Sequence, residues 1–167
     1  DLPKEGENWQ YRVIGPKKLW TQIGLPFDLY FHKPRPDVFF TPSHYAPRFS
    51  PIPTVISIMD LSYIHFPEMF KRSDLYQLRN WTAYSVRNAK RVLTISQASK
   101  DDIIREYQVP EDKVVVTYPG IKVKSQMSKL KTTTQNSKVL NDKYGIDDEY
   151  VLFVGTLQPR KNLLRLI

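Results

Sequence analysis

Residues 91–117 read RVLTISQASKDDIIREYQVPEDKVVVT, and the way this stretch divides decides the fold. Arg91 to Ile95 and Lys113 to Thr117 are short runs of β-branched and apolar residues, the composition of buried strands. Between them, Ala98 to Tyr107 has the length of a helix. Ser99 followed by Asp102 has the form of a capping box at its start, and Val109-Pro110 closes it, because the residue before a proline avoids the helical region.

The same alternation continues outward. Strands are expected at Val38 to Thr41, Thr54 to Met59 and Tyr150 to Val154, and helices at Lys17 to Tyr30 and Ser73 to Asn88. In the latter helix Leu75, Leu78, Thr82, Val86 and Ala89 recur at spacings of three and four, which draws one core-facing stripe. Strands alternating with helices imply an α/β fold with a doubly wound parallel sheet. In such sheets ligands bind beyond the carboxyl ends of the strands. The loops to inspect therefore start at Pro42, Asp60, Ser96, Pro119 and Gly155. They hold Ser43 and His44, then Asp60, Ser62, His65 and Glu68, then Ser96. Each has an ordinary structural alternative: Ser96 as a helix cap, Pro119-Gly120 as a turn, His44 as a packed loop residue. Their shared placement at one sheet edge favours a site.

Composition narrows the class. A hydrophobic content of 41% with 13 prolines and 6 glycines is that of a globular chain, and no apolar run approaches the roughly 20 residues of a membrane-spanning helix. Cysteine is absent, which excludes disulfides and thiolate metal sites and fits a cytoplasmic location. The three histidines, His32, His44 and His65, lack metal-ligand spacing, so no metal is expected. The net charge of +8 suits an anionic partner. Much of it is local: Lys122, Lys124, Lys129, Lys131 and Lys138 share a polar stretch without an acid, which reads as an insertion or linker. No aromatic-interleaved RNA-binding signature occurs, so nucleic acid is not an expected partner. Asn80-Trp81-Thr82 is a glycosylation sequon inside an expected helix, and is read as coincidence.

The stretch 150–167, YVLFVGTLQPRKNLLRLI, reads as a buried strand, a glycine turn at Gly155 and a basic helix start with Arg160 and Lys161. A strand feeding a helix N-terminus attracts phosphate, and two cations there add to it; a solvated basic helix start is the alternative. Asp1 in place of a methionine, and the apolar Leu163, Leu164 and Ile167 with no stop signal after them, lead to the expectation of an internal part of a longer protein.

Three segments carry a resemblance to a known family: TVISIMDLSYIHFPEMF (54–70), RNAKRVLTISQASKDDIIREYQVPEDKVVVTYPGI (87–121) and YVLFVGTLQPRKNLLRLI (150–167). In order and interval they resemble landmarks of family 4 glycosyltransferases, retaining enzymes of the GT-B fold, from about Trp20 onward; the lysine-rich stretch has no counterpart. The resemblance implies two Rossmann-like domains with a cleft between them, the first holding the acceptor and the second a nucleotide-activated sugar. On that reading residues 1–120 are a partial acceptor-side domain, 121–149 a lysine-rich insertion or linker, and 150–167 the first strand and helix start of the nucleotide-sugar domain. Lys161 matches the family lysine on the donor diphosphate, with Arg160 beside it and Gly155 in the turn. His44, Ser43, His65 and Ser96 are then acceptor-side candidates. Cations there stabilise the charge growing on a departing nucleoside diphosphate, and the family normally needs neither metal nor other cofactor.

One departure stands out. The family usually reads His-Asp-Leu where this chain reads Met59-Asp60-Leu61, so the histidine that contacts the reacting sugar is replaced by a thioether that cannot donate a hydrogen bond. Three explanations stand: the histidine is dispensable here, His65 or His44 substitutes for it, or catalysis has been lost. Asp60, Leu61 and the following FPE are kept, which favours the first. A second departure puts Lys122 where the family often has an acid. The implied function is transfer of a hexosyl group, with mannosyl as one candidate, from a nucleotide-sugar to a glycan or lipid-linked acceptor in bacterial polysaccharide assembly. The implied location is cytoplasmic, with a peripheral contact to the anionic inner face of the membrane as an extension. The alternative is a catalytically lapsed module that binds nucleotide-sugar or glycan.

Overall fold

The computed structural model describes residues 4–16, 18–120, 141–146 and 150–167. The chain divides between Pro119 and Gly120 into two units.

The first unit is built on a four-stranded, fully parallel sheet in the order β1-β2-β3-β4, a Rossmann-like α/β arrangement. The strands are β1 (Phe39–Thr41), β2 (Thr54–Ser57), β3 (Arg91–Thr94) and β4 (Val114–Val116). Register is set by Phe40 opposite Val55, Ile56 opposite Val92 and Leu93 opposite Val115. Each strand is shorter than its sequence suggests, yet pairing runs on: Ile58 N–H donates to Leu93 O at 2.8 Å and Thr117 N–H to Thr94 O at 2.7 Å.

The helices are α1 (Gly24–Phe31), the single turn α2 (Ser62–His65), α3 (Arg72–Asn88) and α4 (Gln97–Tyr107). α3 buries Thr82, Ser85 and Val86, and Leu75 and Leu78 pack against the core, along the stripe the spacing predicts. The sequon lies within α3: Asn80 is exposed and its Nδ2 donates to Tyr76 O at 2.8 Å, while Thr82 is wholly buried. Ile56, Ile58, Val86, Val92 and Ile103 are the completely buried aliphatic centre, joined by Leu61, Tyr63, Tyr107 and Val114. Gln108, in the left-handed conformation at φ 53°, ends α4 ahead of Val109-Pro110.

Three expectations are corrected. The first helix begins at Gly24 rather than Lys17, which lies outside the described residues. Leu19 is left-handed at φ 56°, and Pro26 has no N–H to bond back to the preceding turn, so it fits only within the first turn of a helix. Ser96, not Ser99, caps α4: its Oγ accepts Ser99 N–H at 3.1 Å, so the capping-box reading of Ser99 and Asp102 fails. Tyr150 to Val154 forms no strand, and among the described residues no α-helix follows it. Two 3-10 turns, Pro159–Lys161 and Leu163–Arg165, flank a left-handed Asn162 at φ 51°. A strand needs a neighbour for its N–H and C=O groups, and the described residues of the second unit supply none. The lysine cluster from Lys122 to Lys138 lies outside the described residues.

Ile56 lies in a strand paired on both sides and is wholly buried, so Ile56→Ala should cost about 2–5 kcal/mol through lost transfer energy and a residual cavity. Urea unfolding followed by tryptophan fluorescence measures it, and a loss below about 1 kcal/mol would contradict this account of the core.

Candidate functional site

Because all four strands run the same way, the segments leaving β1, β2 and β3 emerge at one edge of the sheet. β1 leads into Ser43 and His44, β2 through Ile58 into Met59 and Asp60, and β3 into Ser96. The structure brings several of these together. His44 Nε2 lies 3.4 Å from Asp60 O, and its ring meets that of Tyr63 edge-on at 6.1 Å. Asp60 Oδ1 accepts Ser62 N–H at 2.9 Å, a turn that opens α2. Ser43 donates its N–H to Thr41 Oγ1 at 3.2 Å and stays exposed. Met59 is exposed, and its carbonyl accepts Ser99 Oγ–H at 2.9 Å. Ser96 Oγ in turn donates to Ser99 Oγ at 3.0 Å, so Ser96 serves as cap and support.

His65 takes a different partner. From the end of α2, its Nε2 lies 3.0 Å from Asp102 Oδ2 on α4. The other carboxylate oxygen of Asp102 pairs with Arg105. Partial burial by itself would raise the Asp102 carboxyl, but hydrogen bonds from His65 and Arg105 outweigh it and hold it below its ordinary value. Under the loop, the Tyr63 and Tyr107 hydroxyls are hydrogen-bonded to each other. Burial pushes both phenols up, Tyr107 further because of its neighbour. They remain neutral near pH 7 and tie α2 to α4.

Sequence reasoning missed Asp102, whose signal was misread as capping, and the tyrosine pair, since Tyr63 and Tyr107 lie 44 residues apart. A cavity of about 350 Å³ lined by Ala46, Phe49, Thr54, Tyr84, Asn88 and Lys90 lies at the amino ends of β2 and β3, the opposite edge from these loops. Among the described residues, no three acidic or histidine side chains gather as a metal site.

In the second unit Gly155, Arg160 and Lys161 are all exposed. Arg160 Nε donates to Gln158 Oε1 at 2.8 Å, and Lys161 N–H to Gln158 O at 2.9 Å. With 3-10 turns in place of a helix, the expected dipole at this position is absent from the described residues. The two cations alone remain to attract an anion.

A lowered carboxylate stabilises the fold fully above its unfolded value of about 4 and loses that contribution as pH falls through its folded value. Asp102→Asn should therefore flatten the loss of stability between about pH 5 and pH 2. Urea midpoints across that range decide it; parallel profiles for parent and variant would contradict the pairing.

Comparison with known proteins places these features. The chain is 26% identical over 158 residues to the O-antigen chain mannosyltransferase B of Escherichia coli; the match takes in 94% of this chain and 38% of that protein. No solved structure matches it. Residues 7–125 match the profile of Glycosyltransferase Family 4, a span that includes the whole parallel sheet and every loop at its carboxyl edge. The chain belongs to glycosyltransferase family 4.

Proposed function

We propose that this chain is part of a retaining glycosyltransferase that moves a hexosyl group, with mannosyl the first candidate, from a nucleotide-sugar to a glycan or lipid-linked acceptor in polysaccharide biosynthesis. The observation that carries this reading is the convergence of His44, Met59-Asp60 and Ser99 at the carboxyl edge of a family 4 sheet. The name of the Escherichia coli relative supports mannose as the sugar and a bacterial surface polysaccharide as the product.

The roles divide by chemistry. Asp60 sits in a turn closed by its own carboxylate on Ser62 N–H, which holds its backbone in place ahead of a sugar. His44 approaches the Met59-Asp60 step through Asp60 O and is better placed than His65 to stand in for the family histidine. His65, Ser43 and Ser96 belong to the acceptor side, Ser96 acting through Ser99. Gly155, Arg160 and Lys161 take the donor diphosphate, where cations stabilise a leaving group that gains negative charge. The reaction on this reading needs the nucleotide-sugar as co-substrate and no metal or cofactor. Residues 1–120 serve as the acceptor-side domain, 121–149 as a linker, and 150–167 as the opening of the donor domain. No described helix is long and apolar enough to cross a membrane, and a cytoplasmic protein resting on the inner membrane face suits a lipid-linked acceptor.

Met59 favours a second reading, a lapsed relative that binds nucleotide-sugar or glycan without transfer, because a thioether supplies no proton. One assay separates the two. The whole protein and its Met59→His variant are incubated with UDP- and GDP-hexoses and mannose-terminated acceptors. The enzyme reading expects transfer by the parent with the anomeric configuration kept, and little gain from the variant. Transfer by the variant alone would sink it. In the active protein Lys161→Ala should raise the donor KM about 10-fold or more, the effect of one charge-assisted hydrogen bond. An unchanged KM would remove Lys161 from the donor site.

A further inference from the structure

Two side chains on α4 reach across to the segment that leaves β2. Ser99 Oγ donates to Met59 O at 2.9 Å, and three residues later Asp102 Oδ2 meets His65 Nε2 at 3.0 Å. Residues three apart on a helix share a face, so one face of α4 holds the 59–65 segment at both of its ends. The first contact is supported from behind by Ser96, which caps α4 and donates to Ser99 Oγ. The second is fixed by Arg105, which occupies the other oxygen of Asp102 and so sets the plane of the carboxylate.

We propose that Ser99 and Asp102 form a two-point clamp on residues 59–65, and that Asp102 is a positioning residue for His65 at the acceptor side of the site. The proposal rests on the glycosyltransferase reading for its kinetic consequence and on geometry alone for the clamp.

The chemistry is directional. An ionised carboxylate only accepts hydrogen bonds, so the neutral His65 ring must carry its proton on Nε2 and keep a lone pair on Nδ1. A carboxylate behind an imidazole fixes both its tautomer and its orientation. Nδ1 is thereby left as an acceptor for a sugar hydroxyl. The clamp also explains how a loop with Met59 in place of histidine keeps its shape: the grip is on the Met59 carbonyl, which is indifferent to the side chain at that position. Placement of Asp60 therefore follows from β3 and α4, not from residue 59.

The test compares the whole protein with its Asp102→Asn, Asp102→Glu and Ser99→Ala variants. Steady-state transfer is measured together with the nitrogen chemical shifts of His65. Asp102→Asn should lower kcat about 10- to 100-fold, with the donor KM unchanged, because a neutral amide no longer dictates the tautomer. Asp102→Glu should recover part of the loss, and Ser99→Ala should show a smaller one. In the parent, neutral His65 should be protonated at Nε2, and in Asp102→Asn the Nε2-protonated share should fall. If the parent transfers no sugar from any donor, the glycosyltransferase reading fails. The nitrogen shifts then decide the clamp by themselves: a larger Nε2-protonated share in the parent than in Asp102→Asn supports it, and equal shares overturn it. A kcat untouched by Asp102→Asn, or a parent His65 protonated at Nδ1, overturns the proposal.

Discussion

Ile58 donates its N–H to Leu93 O at 2.8 Å, the last rung between β2 and β3, and that bond fixes where the following residues leave the sheet. One residue beyond it is Met59, two beyond is Asp60. The bond holds because Ile56, Ile58 and Val92 are wholly buried around it, packed beneath α3 and α4. A shift of register by one residue would turn Ile56 and Ile58 off the core and carry Asp60 away from His44. The burial of a few aliphatic side chains thus sets the position of the polar groups beyond the strand ends.

From that anchor the site is assembled by neighbours rather than by the loop itself. The carbonyl of Met59 is held from α4, that of Asp60 is approached by His44 from the β1 side, and the buried Tyr63–Tyr107 pair ties α2 to α4 from below. These contacts span 16 to 44 residues of sequence. Their cost in chain ordering is met by the sheet, which must bring the strand ends together in any case.

Sequence patterning made the parallel sheet legible because β-branched runs alternate with a 3.6-residue stripe in α3, and both periods are physical requirements of burial. The loops were legible as a group, since topology alone places them at one edge. Their internal partners were not. Ser99 and Asp102 have the spacing of a capping box, and only tertiary contact diverts both side chains to the β2 loop while Ser96 takes over the cap. The stretch from Tyr150 has strand composition, yet composition cannot supply the partner that makes a strand, and the described residues show irregular chain and 3-10 turns there. Arg160 and Lys161 are exposed and lack the helix whose dipole would have added to them.

If the carboxyl edge of the sheet is where sugar binds, it should be the part of the first unit that a ligand shields. Amide hydrogen exchange of the whole protein, with and without GDP-mannose and a mannose-terminated oligosaccharide, measures this directly. Protection gathered at residues 42–45, 59–65 and 96–99 is the predicted result. Protection confined to residues 46–54 and 84–90, around the cavity at the opposite edge, would contradict it.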